Sequence, residues 1–158
     1  MDPERDPQRG DEHRGDEQRG ATAQRGATEQ PSVTVYEYVG GTPFFEMLVD
    51  HFYAGVANDP QLRPMYPERD LTAAKARLTG FLVQYWGGPA DYSARRGHPR
   101  LRMRHAPFRV DRAARDAWFA HMSDAVAASG ADDVAARALL EYFAHAATAM
   151  INVADPEM

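Results

Sequence analysis

Apolar residues recur at helical spacing along most of this chain, with no convincing run of strand-type alternation. Thr42-Pro43 reads as a helix N-cap followed by proline in the first turn. The helix it opens carries Phe45, Leu48, Val49, Phe52, Tyr53 and Val56 on one face. Asn58-Asp59-Pro60 closes it. Asp70 is placed to cap a second helix, with Leu71, Ala74, Leu78, Phe81, Leu82 and Tyr85 along one side. Gly87-Gly88-Pro89 stops that helix. Asp111 caps a third, bearing Ala114, Trp118, Met122 and Val126 and ending at Ser129-Gly130. Asp132 or Asp133 opens a fourth, with Leu139, Leu140, Phe143, Ala147, Met150 and Ile151. The pattern predicts an all-α domain of four substantial helices in two pairs, starting near Val33. Between the pairs, residues 89–104 read as a long, polar, arginine-rich connection, with a short turn at His105. A loop of that length is uncommon in a compact domain unless it serves a site.

Residues 1–32 have a different character. They contain no Ile, Leu, Val, Phe, Trp or Tyr and repeat variations on Gln-Arg-Gly followed by Asp-Glu or Ala-Thr. Such a segment has too little apolar surface to offset the entropy of ordering, so a disordered low-complexity tail is expected there. The domain division is thus 1–32 for the tail and 33–158 for the folded part.

Composition narrows the chemistry. The 158 residues suffice for one domain, and the hydrophobic fraction of 44% for a core. A net charge of -5 argues against general nucleic-acid binding. The absence of cysteine excludes disulfides, thiolate metal sites and thiol nucleophiles. A metal must then be held by histidine, carboxylate or a cofactor. No apolar run approaches the ~18 residues of a membrane helix, and the N-terminus lacks a signal-peptide core. The expectation is a cytoplasmic protein.

The most informative stretch is Arg102-Met103-Arg104-His105-Ala106-Pro107-Phe108. It sets one imidazole among guanidinium groups. Haem needs an imidazole for its iron and cations for its two propionates. Further motifs stand in order along the chain: Gly40-Gly41, His51-Phe52-Tyr53, Met65-Tyr66-Pro67-Glu68, Phe81-Leu82-Val83-Gln84-Tyr85-Trp86-Gly87-Gly88-Pro89, the segment from Gly97-His98-Pro99 to Phe108, and Arg115-Asp116-Ala117-Trp118. In this order and spacing, from about Tyr36 to Val153, the chain resembles a group II truncated haemoglobin, a globin built as a two-over-two helical sandwich.

The resemblance implies haem b as cofactor and His105 as the one protein ligand to a five-coordinate iron. Its second ring nitrogen would donate to a backbone carbonyl, which fixes ring orientation and basicity. Tyr53 and Trp118 become the distal donors that stabilise bound O2; Tyr66 would face the haem beside them. Ala74 stands where many globins carry a histidine gate, so the donor role shifts to Tyr53 and Trp118. Leu78 packs over the haem face, with Phe81 and Met122 as pocket walls. Arg77 and Arg104 become candidates for the propionates, with Tyr92 and His98 as helpers. Packing alone also explains an aromatic at helical spacing, and an arginine run also suits a solvated face. The function implied is reversible binding of O2, CO and NO, for oxygen binding or transport. The alternative is haem redox catalysis, as nitric oxide detoxification by dioxygenation or as peroxidase-like chemistry. Turnover would need a separate reductase, since the chain carries no flavin or nicotinamide motif. Sulfide is a further ligand expectation, a homodimer an expectation for assembly, and a haem-based sensor the remaining reading.

Overall fold

The computed structural model describes residues 32–97 and 99–154. The tail expected over residues 1–32 lies outside them except for Ser32, and so does His98. Among the described residues there are seven α-helices, one short 3-10 turn and no strand: α1 Val35–Val39, α2 Thr42–Ala57, the 3-10 turn Arg63–Met65, α3 Thr72–Tyr85, α4 Asp91–Arg96, α5 Leu101–His105, α6 Arg112–Ala128 and α7 Asp133–Ala149. The four long helices form two pairs. α2 packs against α3 and against α6, and α6 packs against α7.

The core sits where the apolar stripes meet. Phe45, Leu48, Val49, Phe52 and Val56 of α2 are fully buried, as are Met122 of α6 and Leu139 of α7. Each such side chain contributes about 1.5–3 kcal/mol of transfer free energy. Leu48→Ala in this centre would cost about 2–5 kcal/mol.

The caps follow the sequence with small shifts. Asp111 and Asp132 cap α6 and α7 by accepting from the amides of Ala114 (2.8 Å) and Ala135 (2.9 Å). The cap of α2 is Gly41, one residue before the predicted Thr42. Thr42 instead bonds the Tyr36 hydroxyl at 2.9 Å, so its side chain is spent on α1. Asp70 stands two residues before α3, one before its cap Leu71, and accepts from the Thr72 amide at 2.8 Å.

Two predictions over the middle of the chain need correction. Residues 89–104 are not a long irregular loop: α4 and most of α5 lie within them, and His105 ends α5 rather than sitting in a turn. Helices of five or six residues are too short to print a periodicity, and isolated ones are unstable in water. They are held here from outside. Gln84 of α3 clasps Ser93 of α4 through two hydrogen bonds, of 2.6 and 2.8 Å. The helix α1, which the pattern did not predict, is held likewise: the Tyr36 amide donates to the Trp86 carbonyl at 3.0 Å. Gly88 permits that approach, because a Cβ there would lie 2.7 Å from Val83 and 2.8 Å from the Tyr36 ring.

Candidate functional site

The helix pairs enclose a cavity of about 520 Å³, within the roughly 300–1,000 Å³ range of cofactor and ligand sites. α2 supplies Tyr53 to its wall, α3 supplies Ala74, Arg77, Leu78, Phe81 and Leu82, and the turn between them supplies Met65, Tyr66 and Glu68. From α4 to α6 come Tyr92, Arg96, Leu101, Arg104, His105, Ala114, Arg115 and Trp118. α7 adds Tyr142, Phe143, Ala146 and Ala147.

One end of the cavity is a cluster of polar aromatics. The Tyr53 and Tyr66 rings meet edge to face at 5.5 Å. The Tyr66 hydroxyl is hydrogen-bonded to both Tyr53 and Trp118. The Trp118 indole is donor only, so the phenol oxygen accepts from it. Burial pushes the Tyr53 phenol well above the ordinary value, and the neighbouring Tyr66 adds to the rise. Burial likewise raises Tyr66, against hydrogen bonds from Tyr53 and Trp118 that pull it down. Both phenols therefore stay neutral and keep their protons for donation. Arg63 fixes the turn that carries Tyr66: its guanidinium donates to the carbonyls of Tyr66 (2.9 Å), Glu68 (2.7 Å) and Arg69 (3.0 Å).

The other feature is a single imidazole. His105 Nδ1 lies 2.7 Å from the Leu101 carbonyl, one turn back in α5. A carbonyl only accepts, so Nδ1 carries the proton and Nε2 keeps a free lone pair. Asn152, beyond α7, fixes the segment: it donates to the carbonyls of His105 (3.2 Å) and Phe108 (2.8 Å) and accepts from the Val110 amide (2.9 Å). Arg102 reaches the Ala149 carbonyl at 3.0 Å.

The guanidinium groups divide in use. Arg96 and Arg104 lie over the Tyr92 ring, at 5.9 and 5.8 Å from its centroid, and Arg104 also donates to the Arg96 carbonyl at 2.9 Å. Arg77, expected at a propionate, is ion-paired with Glu68 at 2.5 Å, and its guanidinium holds that carboxyl below the usual carboxylate range.

Of the residues singled out in the sequence, Tyr53, Tyr66, Ala74, Arg77, Leu78, Phe81, Tyr92, Arg104, His105 and Trp118 all line this cavity. Met122 does not. It lies one turn beyond Trp118 on α6 and is fully buried in the core, so packing alone accounts for it. The sequence reading missed Tyr142, Arg96, Arg115 and Asn152. Alanines at 146 and 147, one turn past Tyr142-Phe143, were the available hint that α7 leaves room. Nothing local marks Asn152, whose partners lie 42 to 47 residues away.

This architecture fits a haem. The cavity is largely apolar, one wall offers an imidazole nitrogen with its tautomer fixed, and guanidinium groups stand on the same wall. Among the described residues no three metal-ligating side chains converge, so a metal here would rely on one histidine and a macrocycle.

Comparison with known proteins agrees. The bacterial-like globin family profile matches residues 34–152. The chain is 44% identical over 91 residues to the group 2 truncated haemoglobin YjbI of Bacillus subtilis, covering 58% of this chain and 67% of that one. Its structure is similar to that of a thermostable haemoglobin from the actinobacterium Thermobifida fusca, with a TM-score of 0.75, 55% identity, and coverage of 77% and 98% of the two chains. It is similar too to a truncated oxygen-avid haemoglobin from Bacillus subtilis, with a TM-score of 0.72, 37% identity, and coverage of 76% and 100%. A helical sandwich enclosing one imidazole and a cluster of aromatic donors, matched by a globin profile over most of its length, belongs to the bacterial-like globins and, within them, to the group II truncated haemoglobins.

Proposed function

We propose that this protein binds haem b through His105 and takes up O2, CO or NO reversibly at the open side of a five-coordinate iron. The observation that carries this reading is the presence, around one cavity, of an imidazole locked by the Leu101 carbonyl and of a separate cluster of the three hydrogen-bonding aromatics Tyr53, Tyr66 and Trp118. When bound, haem iron supplies an open coordination position for a diatomic gas. The chain supplies the rest. His105 Nε2 is the ligand. Tyr53 Oη and Trp118 Nε1 donate to the partly negative outer atom of the gas, and Tyr66 accepts from both when no gas is present. Ala74 leaves room there and donates nothing. Arg104 and Arg96, above Tyr92, face the propionates, with Arg77 assisting from its pair with Glu68. The absence of cysteine rules out thioether attachment, which supports haem b. The oxygen-avid relative from Bacillus subtilis supports O2 as a ligand. Residues 33–158 would form this gas-binding domain, with 1–32 as a tail that precedes it in the sequence.

The donor cluster also supports a second reading, redox turnover of NO or peroxide with a separate reductase. Donors aimed at the outer atom polarise a peroxide as they do O2. An absorption spectrum with and without haemin, then reduced and exposed to O2 and CO, tests the first reading. A Soret band that shifts with each gas is expected. No Soret band after haemin addition would sink it.

A further inference from the structure

One group of aromatic rings is not needed for binding gas. Tyr142 lines the cavity. Its ring stacks on Tyr85 at 4.1 Å between centroids and 28° between planes. Tyr85, the last residue of α3, is 51% exposed. Trp86 packs against both, at 5.0 Å from Tyr85 and 5.4 Å from Tyr142. Two readily oxidised phenols in contact thus connect the cavity with solvent. Of the other aromatics of the cavity wall, Phe81 also meets Tyr85, at 6.1 Å between centroids, but it has no phenol to oxidise. Tyr92 touches Phe81 rather than Tyr85, and a phenylalanine ring is much harder to oxidise. Trp86 is no outlet either. Its Nε1 is buried without an acceptor, so an oxidised indole there has nowhere to send its proton. Tyr85, half exposed, can release its phenolic proton to water.

We propose that Tyr142 and Tyr85 form an electron inlet, through which phenolic one-electron donors at the protein surface reduce peroxide consumed in the cavity. This rests on the haem reading above. Hydrogen peroxide takes two electrons and two protons to become two waters. Each electron passes from Tyr85 through Tyr142 to the cavity. Each is replaced by one electron from a phenol docked at Tyr85, whose hydroxyl proton leaves with it. Two phenols thus yield two phenoxyl radicals for each peroxide reduced to two waters. The donor never enters the cavity, so its size is unrestricted. Without a donor, Tyr85 itself is left one electron and one proton short, as a neutral tyrosyl radical at the surface.

The test uses the haem-loaded full chain with hydrogen peroxide and a nitroso spin trap, read by peptide mass spectrometry. The adduct is expected on Tyr85. In Tyr142→Phe, which removes one hydroxyl and keeps the ring, the Tyr85 adduct is lost. In Tyr85→Phe, oxidation of a phenol tethered to a polymer too large for the cavity is lost, with the Soret band and its CO shift retained. Peroxide consumed without an adduct on Tyr85 overturns the inlet. So does Tyr85 labelled as strongly in Tyr142→Phe as in wild type, or tethered phenol oxidised equally by Tyr85→Phe. A starting protein with no Soret band overturns the haem reading and the inlet with it; a Soret band with no Tyr85 dependence overturns the inlet alone.

Discussion

The two working parts of the cavity are built in opposite ways. The aromatic donors Tyr53 and Trp118 sit in the middle of the long helices α2 and α6, with Phe52 packed 5.1 Å from Trp118 and 4.9 Å from Tyr53. Their positions follow from core packing, which over-determines them. The imidazole sits at the end of the five-residue helix α5, among residues none of which is buried. A helix that short has no stability of its own. It is set in place by hydrogen bonds from the far end of the chain, those of Asn152 and Arg102. On the proposed haem reading, the difference would assign precision of donor geometry to the core, and retention of the cofactor to a few long-range polar bonds. Changes on the donor side should alter how gas leaves; changes on the imidazole side should alter whether haem stays.

The largest expected break in that division is His105→Ala. It removes the only proposed protein bond to iron, so reconstituted protein passed through a desalting column should lose most of its Soret absorbance. Full retention with an unchanged spectrum would refute the assignment. Next is Asn152→Ala, at a residue that does not itself line the cavity but holds the backbone of His105, Phe108 and Val110, which do. It deletes three hydrogen bonds to backbone and should lower unfolding stability by about 1–2 kcal/mol, discounted for their partial exposure. Haem should dissociate faster, while the O2 release rate of the remaining holoprotein stays near wild type. A change confined to O2 release would erase the distinction between the two parts. Smaller again is Trp118→Phe. If the indole bond to O2 is worth about 1.4 kcal/mol, release should quicken by roughly tenfold in stopped-flow displacement by CO. An unchanged rate would mean that the indole serves Tyr66 alone.

The same contrast sets what could be read from sequence. The inward placement of Tyr53 and Trp118 was legible because both lie on long amphipathic helices, where spacing fixes the face. Tyr53 stands in phase with Phe45, Leu48, Val49 and Phe52, and Trp118 in phase with Ala114. The imidazole was found through its arginine-flanked motif, but not the structure around it. Helices α4 and α5 print no period, and the bonds that hold them join residues 9 to 47 apart in sequence. Met122 shows the limit on the legible side. Its helical phase puts it inside the protein but cannot say whether the inside is core or cavity, since both are apolar. Arg77 shows the limit for charges: position brought it to the rim, yet its guanidinium is committed to Glu68, which no spacing rule connects to it.

The smallest expected effect is none at all, and it is informative. Tyr53 and Tyr66 are both raised above the ordinary phenol value of 10.0, chiefly by burial. A phenol donates a hydrogen bond only while protonated, so both remain donors throughout the range in which an exposed tyrosine would begin to ionise. The O2 release rate should therefore stay flat from neutral pH up to about pH 10, where solvent-exposed phenols are half ionised. Stability should behave differently. Below 10 both folded and unfolded phenols are protonated and the contribution is constant. Above 10 the unfolded chain loses these protons while the folded chain keeps them, so stability falls as pH rises. Release that accelerates below pH 10 while the fold is intact would show that a donor titrates near its ordinary value. The cluster would then be open to water, and the rigid side of the comparison would have been drawn in the wrong place.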